Sequence, residues 1–306
     1  MAAPIAEPLP TPPLDAAAPP PNPRSEPPPA PPPPDVPSGT EAPSLVGLDE
    51  KKPARFAAFG ATDIGRRRET NQDAFLVDSD LALFIVADGM GGHAGGGTAS
   101  RLAVETIHDE MARARTNRPD AFQESSALES SPLPDLLGQA VEAGCARIYR
   151  RSREDPSLAG MGTTATLLLL NGLNAFVAHV GDSRLYLVRG GDIWQITEDH
   201  SLVNEQIKAG VLTPEEARRS QLKNVITRSV GFEEDVLVDL LGLSVRGDDT
   251  FIVCCDGLSN MVEDAEIAAA VQREPLADLP ARLIALANDR GGDDNITVVA
   301  VRILAP

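Results

Sequence analysis

The stretch Leu83-Phe84-Ile85-Val86-Ala87-Asp88-Gly89-Met90-Gly91-Gly92-His93 constrains this chain more than any other. An apolar run of strand character stops at an acid, followed by glycines and a histidine. A strand tip buried in a sheet has no need of a charge, so a carboxylate there must be hydrated, paired or bound to a cation. The glycines allow a sharp turn that brings backbone carbonyls close to whatever the acid holds. Asp88 is therefore expected at the centre of a metal site.

Three other places repeat the pattern. Phe251-Ile252-Val253-Cys254-Cys255 runs into Asp256-Gly257, and Ala175 to Val180 runs into Gly181-Asp182. Asp293-Asp294 stands just before the strand-like Ile296 to Ile303. One Asp-Gly at a strand end is an ordinary turn. Four together would gather several carboxylates at one end of a core, where like charges need protons or a cation. Oxygen donors with little His or Cys suit magnesium or manganese rather than zinc.

The surrounding chain reads as strands, two helices, strands, two helices and a strand. Helices are expected over Thr98–Arg115, Asp135–Arg151, Asp264–Arg273 and Leu276–Asp289. A short capped helix is expected after Thr213. Strands are expected at Phe56–Phe59, Ala74–Val77, Leu81–Ala87, Ala165–Leu170, Ala175–Val180, Arg184–Val188, Ile193–Gln195, Val236–Leu241, Thr250–Cys255 and Ile296–Ile303. Hairpin-length turns between most strands predict an α+β fold with antiparallel sheets and helices outside.

Of the 27 prolines, 19 precede Arg55. Residues 1–53 are expected to form a Pro/Ala-rich disordered tail, either an unspecific linker or a ligand for a proline-reading partner. Residues 54–306 remain for the folded domain. A net charge of −18 disfavours nucleic acid and anionic membrane surfaces as partners. Three cysteines, two of them adjacent, suggest no disulfide framework and a reducing, cytoplasmic setting. No apolar run reaches transmembrane length, and the N-terminus lacks the order of a signal peptide. Cys145 precedes Arg151 at thiol-phosphatase spacing, but the segment reads as mid-helix and lacks the nest of amides that such a thiolate needs. Cys254 and Cys255 read as packing residues, one facing the core and one outward. His179 reads as structural and His108 as solvated.

Six motifs occur in one order: Gly65-x-x-Arg68-x-x-Asn71-Gln72-Asp73, Asp88-Gly89-Met90-Gly91-Gly92-His93, Met161-Gly162-Thr163-Thr164, Gly181-Asp182-Ser183-Arg184, Asp256-Gly257-Leu258-Ser259 and Asp294-Asn295-Ile296-Thr297. Together they resemble the bacterial metal-dependent protein serine/threonine phosphatases of type 2C. The resemblance spans about residues 55 to 304. It implies a four-layer α/β/β/α sandwich and hydrolysis of phosphoserine and phosphothreonine on proteins by a metal-activated water, without a covalent intermediate. It further implies that Asp88 bridges two Mn2+ or Mg2+ ions, with the Gly89 carbonyl, Asp256 and Asp294 completing their protein ligands. Gln72 and Asp73 would act through the metals' water shell, and Arg68 would grip the substrate phosphate. Asp182, with Asn224 from a flap over 199–231, corresponds to a third, weaker ion, and His93 is the candidate proton donor to the leaving group. The flap reads Ser220-Gln221 where bacterial members often read His-Pro. Implied partners are phosphorylated proteins, the products of Ser/Thr kinases. The competing reading is a catalytically idle module that recruits partners through its tail; the intact set of acids argues against it.

Overall fold

The computed structural model describes residues 56–92, 95–123 and 128–304, with the side chains of Arg218 and Arg219 excepted. The expected tail and His93 lie outside the described residues. Eleven strands and seven α-helices are described: β1 (Phe56–Asp63), β2 (Asp73–Asp78), β3 (Leu83–Met90), α1 (Gly95–Asn117), α2 (Leu133–Glu154), β4 (Gly162–Thr163), β5 (Ala165–Asn171), β6 (Asn174–Val180), β7 (Arg184–Arg189), β8 (Asp192–Gln195), α3 (Leu202–Lys208), α4 (Pro214–Arg219), β9 (Asp239–Ser244), β10 (Thr250–Cys254), α5 (Asp256–Ser259), α6 (Asp264–Arg273), α7 (Leu279–Asp289) and β11 (Ile296–Ile303).

One sheet has the order β1-β11-β10-β7-β8; the other runs β2-β3-β5-β6-β9, with β4 beside β3. Neighbouring strands pair antiparallel throughout. Three apolar layers fix the stacking. Leu83, Ile85 and Ala87 point to the helix pair α1/α2 with Ile107, Leu137 and Val141. Phe84 and Val86 point the other way, into the space between the sheets, where they meet Phe251, Val253 and Val299. Ile252, Cys254 and Val298 face α6 and α7 through Ile267, Leu283 and Ala287. The result is the expected α/β/β/α sandwich. Its central strands are apolar at consecutive positions, as in Leu167-Leu168-Leu169, because both faces of each sheet are covered.

That layering corrects one expectation. Neither of the adjacent cysteines faces outward; both Cys254 and Cys255 are fully buried, because the outer face of their sheet lies under α6 and α7. His108 is not merely solvated either: its ring meets Asp78 Oδ2 at 2.8 Å, tying α1 to the end of β2. The strand expected at Val236–Leu241 begins later, at Asp239, where pairing with β6 starts. Cys145 lies buried in α2, where its Sγ accepts from Gly231 N–H and donates to the Glu233 carbonyl, both at 3.2 Å. No helix among the described residues is long and apolar enough to cross a membrane.

The largest difference is at the start of α1. The helical spacing predicts a start at Thr98, yet Gly95 to Gly97 form the first helical residues. The helix end packs directly on β3: a Cβ on Gly96 would stand 2.6 Å from the Gly89 carbonyl oxygen and 2.9 Å from Gln72 Oε1. Only glycine permits that approach. Gly96→Ala is expected to cost about 1–3 kcal/mol by overpacking and to weaken metal-dependent thermal stabilisation. Unchanged melting curves with and without manganese would contradict this.

Candidate metal centre

The acids collect where the strands end. Asp73 opens β2 and stands directly opposite Asp88 of β3 in the sheet register. Facing like charges at that spacing are destabilising. In the other sheet Cys254 pairs with both Arg184 and Val298. Asp256, the Gly181-Asp182 turn and Asp294 therefore emerge at one end of that sheet. A cleft of about 220 Å3 opens between them. Of the ten residues singled out from the sequence, eight line it: Arg68, Gln72, Asp88, Gly89, Asp182, Asn224, Asp256 and Asp294. Asp73 stands beside Asp88, and His93 is outside the described residues. Asp293 does not join the cleft; it is exposed and pairs loosely with Arg67 at 3.6 Å.

The protein raises the energy of these carboxylates. Burial, then the charges of Asp73, Asp256, Asp182 and Asp294, push the Asp88 carboxyl well above the usual carboxylate range. Burial, followed by the Asp256 charge, lifts Asp182 to about 8. Burial lifts Asp73 to about 7, against the opposing bonds from Thr297 and Cys255. Asp256 is raised by burial and then by Asp294. Two of the oxygens involved, Asp73 Oδ1 and Asp256 Oδ1, are buried without a hydrogen-bond partner. An orphaned buried carboxylate oxygen is costly unless a cation or proton reaches it. Asp73, Asp88 and Cys255 each offer a ligand atom, all within 4.8 Å of one another. The donor set is dominated by carboxylate oxygen, which fits a hard divalent cation.

A second group of residues holds the acids in place, and the sequence motifs contained all of them but Thr62 without revealing their work. Thr163 Oγ1 and Thr164 N–H both donate to the Asp88 carbonyl, at 2.8 and 2.9 Å, while Thr164 Oγ1 accepts from Asp88 N–H at 2.9 Å. Asn71 donates to Thr62 Oγ1, and Thr62 lies 2.7 Å from Thr297 Oγ1, which donates to Asp73 Oδ2 at 2.6 Å. A hydroxyl has one proton, so Thr62 must donate to Thr297 and the chain points at Asp73. Asn295 accepts from Gln72 N–H at 2.8 Å and donates to the Ile64 and Thr70 carbonyls, which shapes the Arg68 loop. These partners are up to 231 residues from Asn295 along the chain, so no local pattern could disclose them.

Arg68 stands at the rim with about half its side chain exposed and donates to Asp294 Oδ2 at 2.6 Å. That bond holds its guanidinium above its ordinary range. A solvent-facing pair of this kind contributes little stability. The guanidinium is therefore available to a stronger anion entering the cleft.

A carboxylate cleft with an arginine at its mouth, at the open end of two packed sheets, is the arrangement of a metal-dependent hydrolase for phosphate esters. The family model Protein phosphatase 2C matches residues 62–296, and the chain belongs to that family. It is 37% identical over 244 residues to protein phosphatase PhpP of Streptococcus pneumoniae, covering 78% of this chain and 94% of that protein. It superposes on the serine/threonine phosphatase PstP/Ppp of Mycobacterium tuberculosis with a TM-score of 0.72 at 34% identity, over 81% of this chain and 99% of that one. The catalytic domain of PstP in complex with 2 manganese ions matches with a TM-score of 0.70 at 34% identity, over 81% and 98% of the respective chains. The protein is a metal-dependent serine/threonine protein phosphatase. Nothing in these comparisons favours an idle module.

Proposed function

We propose that Asp88, Asp256, Asp294 and the Gly89 carbonyl hold two Mn2+ or Mg2+ ions. Asp182, with Asn224 nearby, serves a third, weaker ion. Gln72 and Asp73 order the water shell. The observation that carries this reading is the cluster of buried carboxylates with two unpartnered oxygens. When bound, the ions neutralise the cluster and activate the water that attacks phosphorus. The chain's own residues do the rest. The Thr163-Thr164 bonds fix the Asp88 backbone, and the hydrogen-bond chain ending on Asp73 keeps that carboxylate oriented. Arg68 exchanges Asp294 for the substrate's phosphate, which its planar fork can grip through two parallel bonds. His93, four residues beyond Gly89, delivers the proton to the departing Ser or Thr oxygen. The substrates are phosphoproteins made by Ser/Thr kinases. The protein acts in the cytoplasm, which its three buried, unpaired thiols support. The Pro-rich segment 1–53 is an appendage to the phosphatase domain 54–306 that serves a proline-reading partner.

Purified protein should hydrolyse a phosphothreonine peptide with manganese and stop with EDTA; turnover that survives EDTA would refute the metal assignment. Arg68→Ala should raise KM for the peptide about tenfold or more, the loss of a charge-assisted contact of about 1.5–3 kcal/mol. Its melting temperature should hardly change, because the pair it breaks is exposed. A normal KM in this variant would remove Arg68 from the binding site.

A further inference from the structure

Two histidines that the proposed chemistry does not use lie behind the cleft. His179 of β6 is fully buried and His200 is 7% exposed, with ring centroids 4.8 Å apart. His200 and Gly181 bond reciprocally. Gly181 N–H donates to His200 Nδ1 at 3.0 Å, and His200 N–H donates to the Gly181 carbonyl at 2.8 Å. Since Nδ1 accepts, Nε2 carries the proton and donates to Asp239 Oδ2 at 3.1 Å. Asp239 in turn accepts from Arg228 at 2.5 Å.

The same residue starts the segment that covers the cleft. The His200 carbonyl accepts from Thr227 N–H, and Leu202 N–H donates to the Val225 carbonyl, both at 2.9 Å. These bonds close the base of segment 202–225. Asn224 and Ile226, at its outgoing limb, line the cleft. His200 thus joins two walls of the site: its imidazole Nδ1 and backbone N–H hold the turn that carries Asp182, and its backbone carbonyl holds the limb that carries Asn224.

We infer that His200 is a positioning residue that holds the Gly181-Asp182 turn and the base of segment 202–225 in one fixed relation, so that cation binding at Asp182 and ordering of that segment are coupled. The inference rests on the proposed role of Asp182 in ion binding. Its physical basis is the division of labour between the two ring nitrogens. Nδ1 serves the Asp182 turn, while Nε2 serves Asp239 and through it Arg228. Amide side chains separate these roles, since Asn places its oxygen near the Nδ1 position and Gln places its nitrogen near the Nε2 position.

The test is calorimetric titration of the full chain with manganese, together with kcat and KM for a phosphothreonine peptide, for the wild type, Asp182→Asn, His200→Asn and His200→Gln. Asp182→Asn should weaken the weakest manganese event; if it does not, the role of Asp182 fails, whatever His200 does. With that role intact, His200→Gln should weaken the same event about 10–100-fold, the usual effect of losing an outer partner of a metal ligand, and His200→Asn should leave it as in the wild type. His200→Gln binding manganese like the wild type, or both variants weakening alike, overturns the inference. Should His200→Gln fail to fold, hydrogen exchange on the wild type decides. Manganese should slow exchange at Leu202 and Thr227, and Asp182→Asn should abolish that protection. Exchange there that ignores manganese overturns the coupling.

Discussion

Asp88→Asn is expected to lower phosphopeptide hydrolysis by at least about 10³-fold, the worth of several kcal/mol of metal-borne charge stabilisation, while raising the melting temperature of the metal-free protein. The two effects have one cause. Asp88 faces Asp73 across the β2–β3 pair, and three further carboxylates act on it in a poorly solvated site. An arrangement that binds cations strongly is a burden without them. Replacing one charge by an amide of the same shape relieves repulsion on the rest. Each kcal/mol released raises the melting temperature by about 2–4 °C in a domain of this size. Turnover close to wild type would remove Asp88 from the centre of the site. An inactive variant that melts lower without metal would show that Asp88 stabilises the fold by some other contact.

Manganese should stabilise the protein more at pH 8 than at pH 5.5. The folded chain holds Asp182 near 8 and Asp73 near 7, against about 3.9 for an unfolded Asp. Both therefore bind protons in the folded state that they release on unfolding at intermediate pH. Stability from these groups is fully present below pH ~4 and is lost as pH rises through the folded values. The metal-free protein should accordingly melt lower at pH 8 than at pH 5.5. Cations bind the deprotonated carboxylates, so their effect grows over the same window. At a hundredfold excess over the dissociation constant, a single ion contributes about 2.7 kcal/mol. A melting temperature of the metal-free protein that climbs from pH 5.5 to 8, or a manganese shift independent of pH, would contradict the coupling of these acids.

Much of this was legible in the chain because strand-end acids leave a local mark. Asp88, Asp182 and Asp256 each follow an apolar run, and periodicity placed α6 at its observed bounds. Local pattern misled where a tertiary contact overruled it. The helical spacing begins at Thr98, yet Gly95–Gly97 are helical too, and only a glycine face can lie against Gly89 and Gln72. One of Cys254 and Cys255 read as outward-facing, since a strand does not disclose that helices from later in the chain will cover its far face.

The sequence by itself determined the donor chemistry: short oxygen-bearing side chains at the ends of buried strands, in an order that marks the type 2C phosphatases. Only the tertiary structure decided which carboxylates face one another, which oxygens lack partners, and how Thr164, Asn295, Thr297 and His200 hold them. The physical reason is range. A strand and its terminal acid depend on neighbours within a few residues. The register that sets Asp73 against Asp88, and brings Asn295 to the Arg68 loop, depends on sheet pairing and packing between segments far apart in the chain.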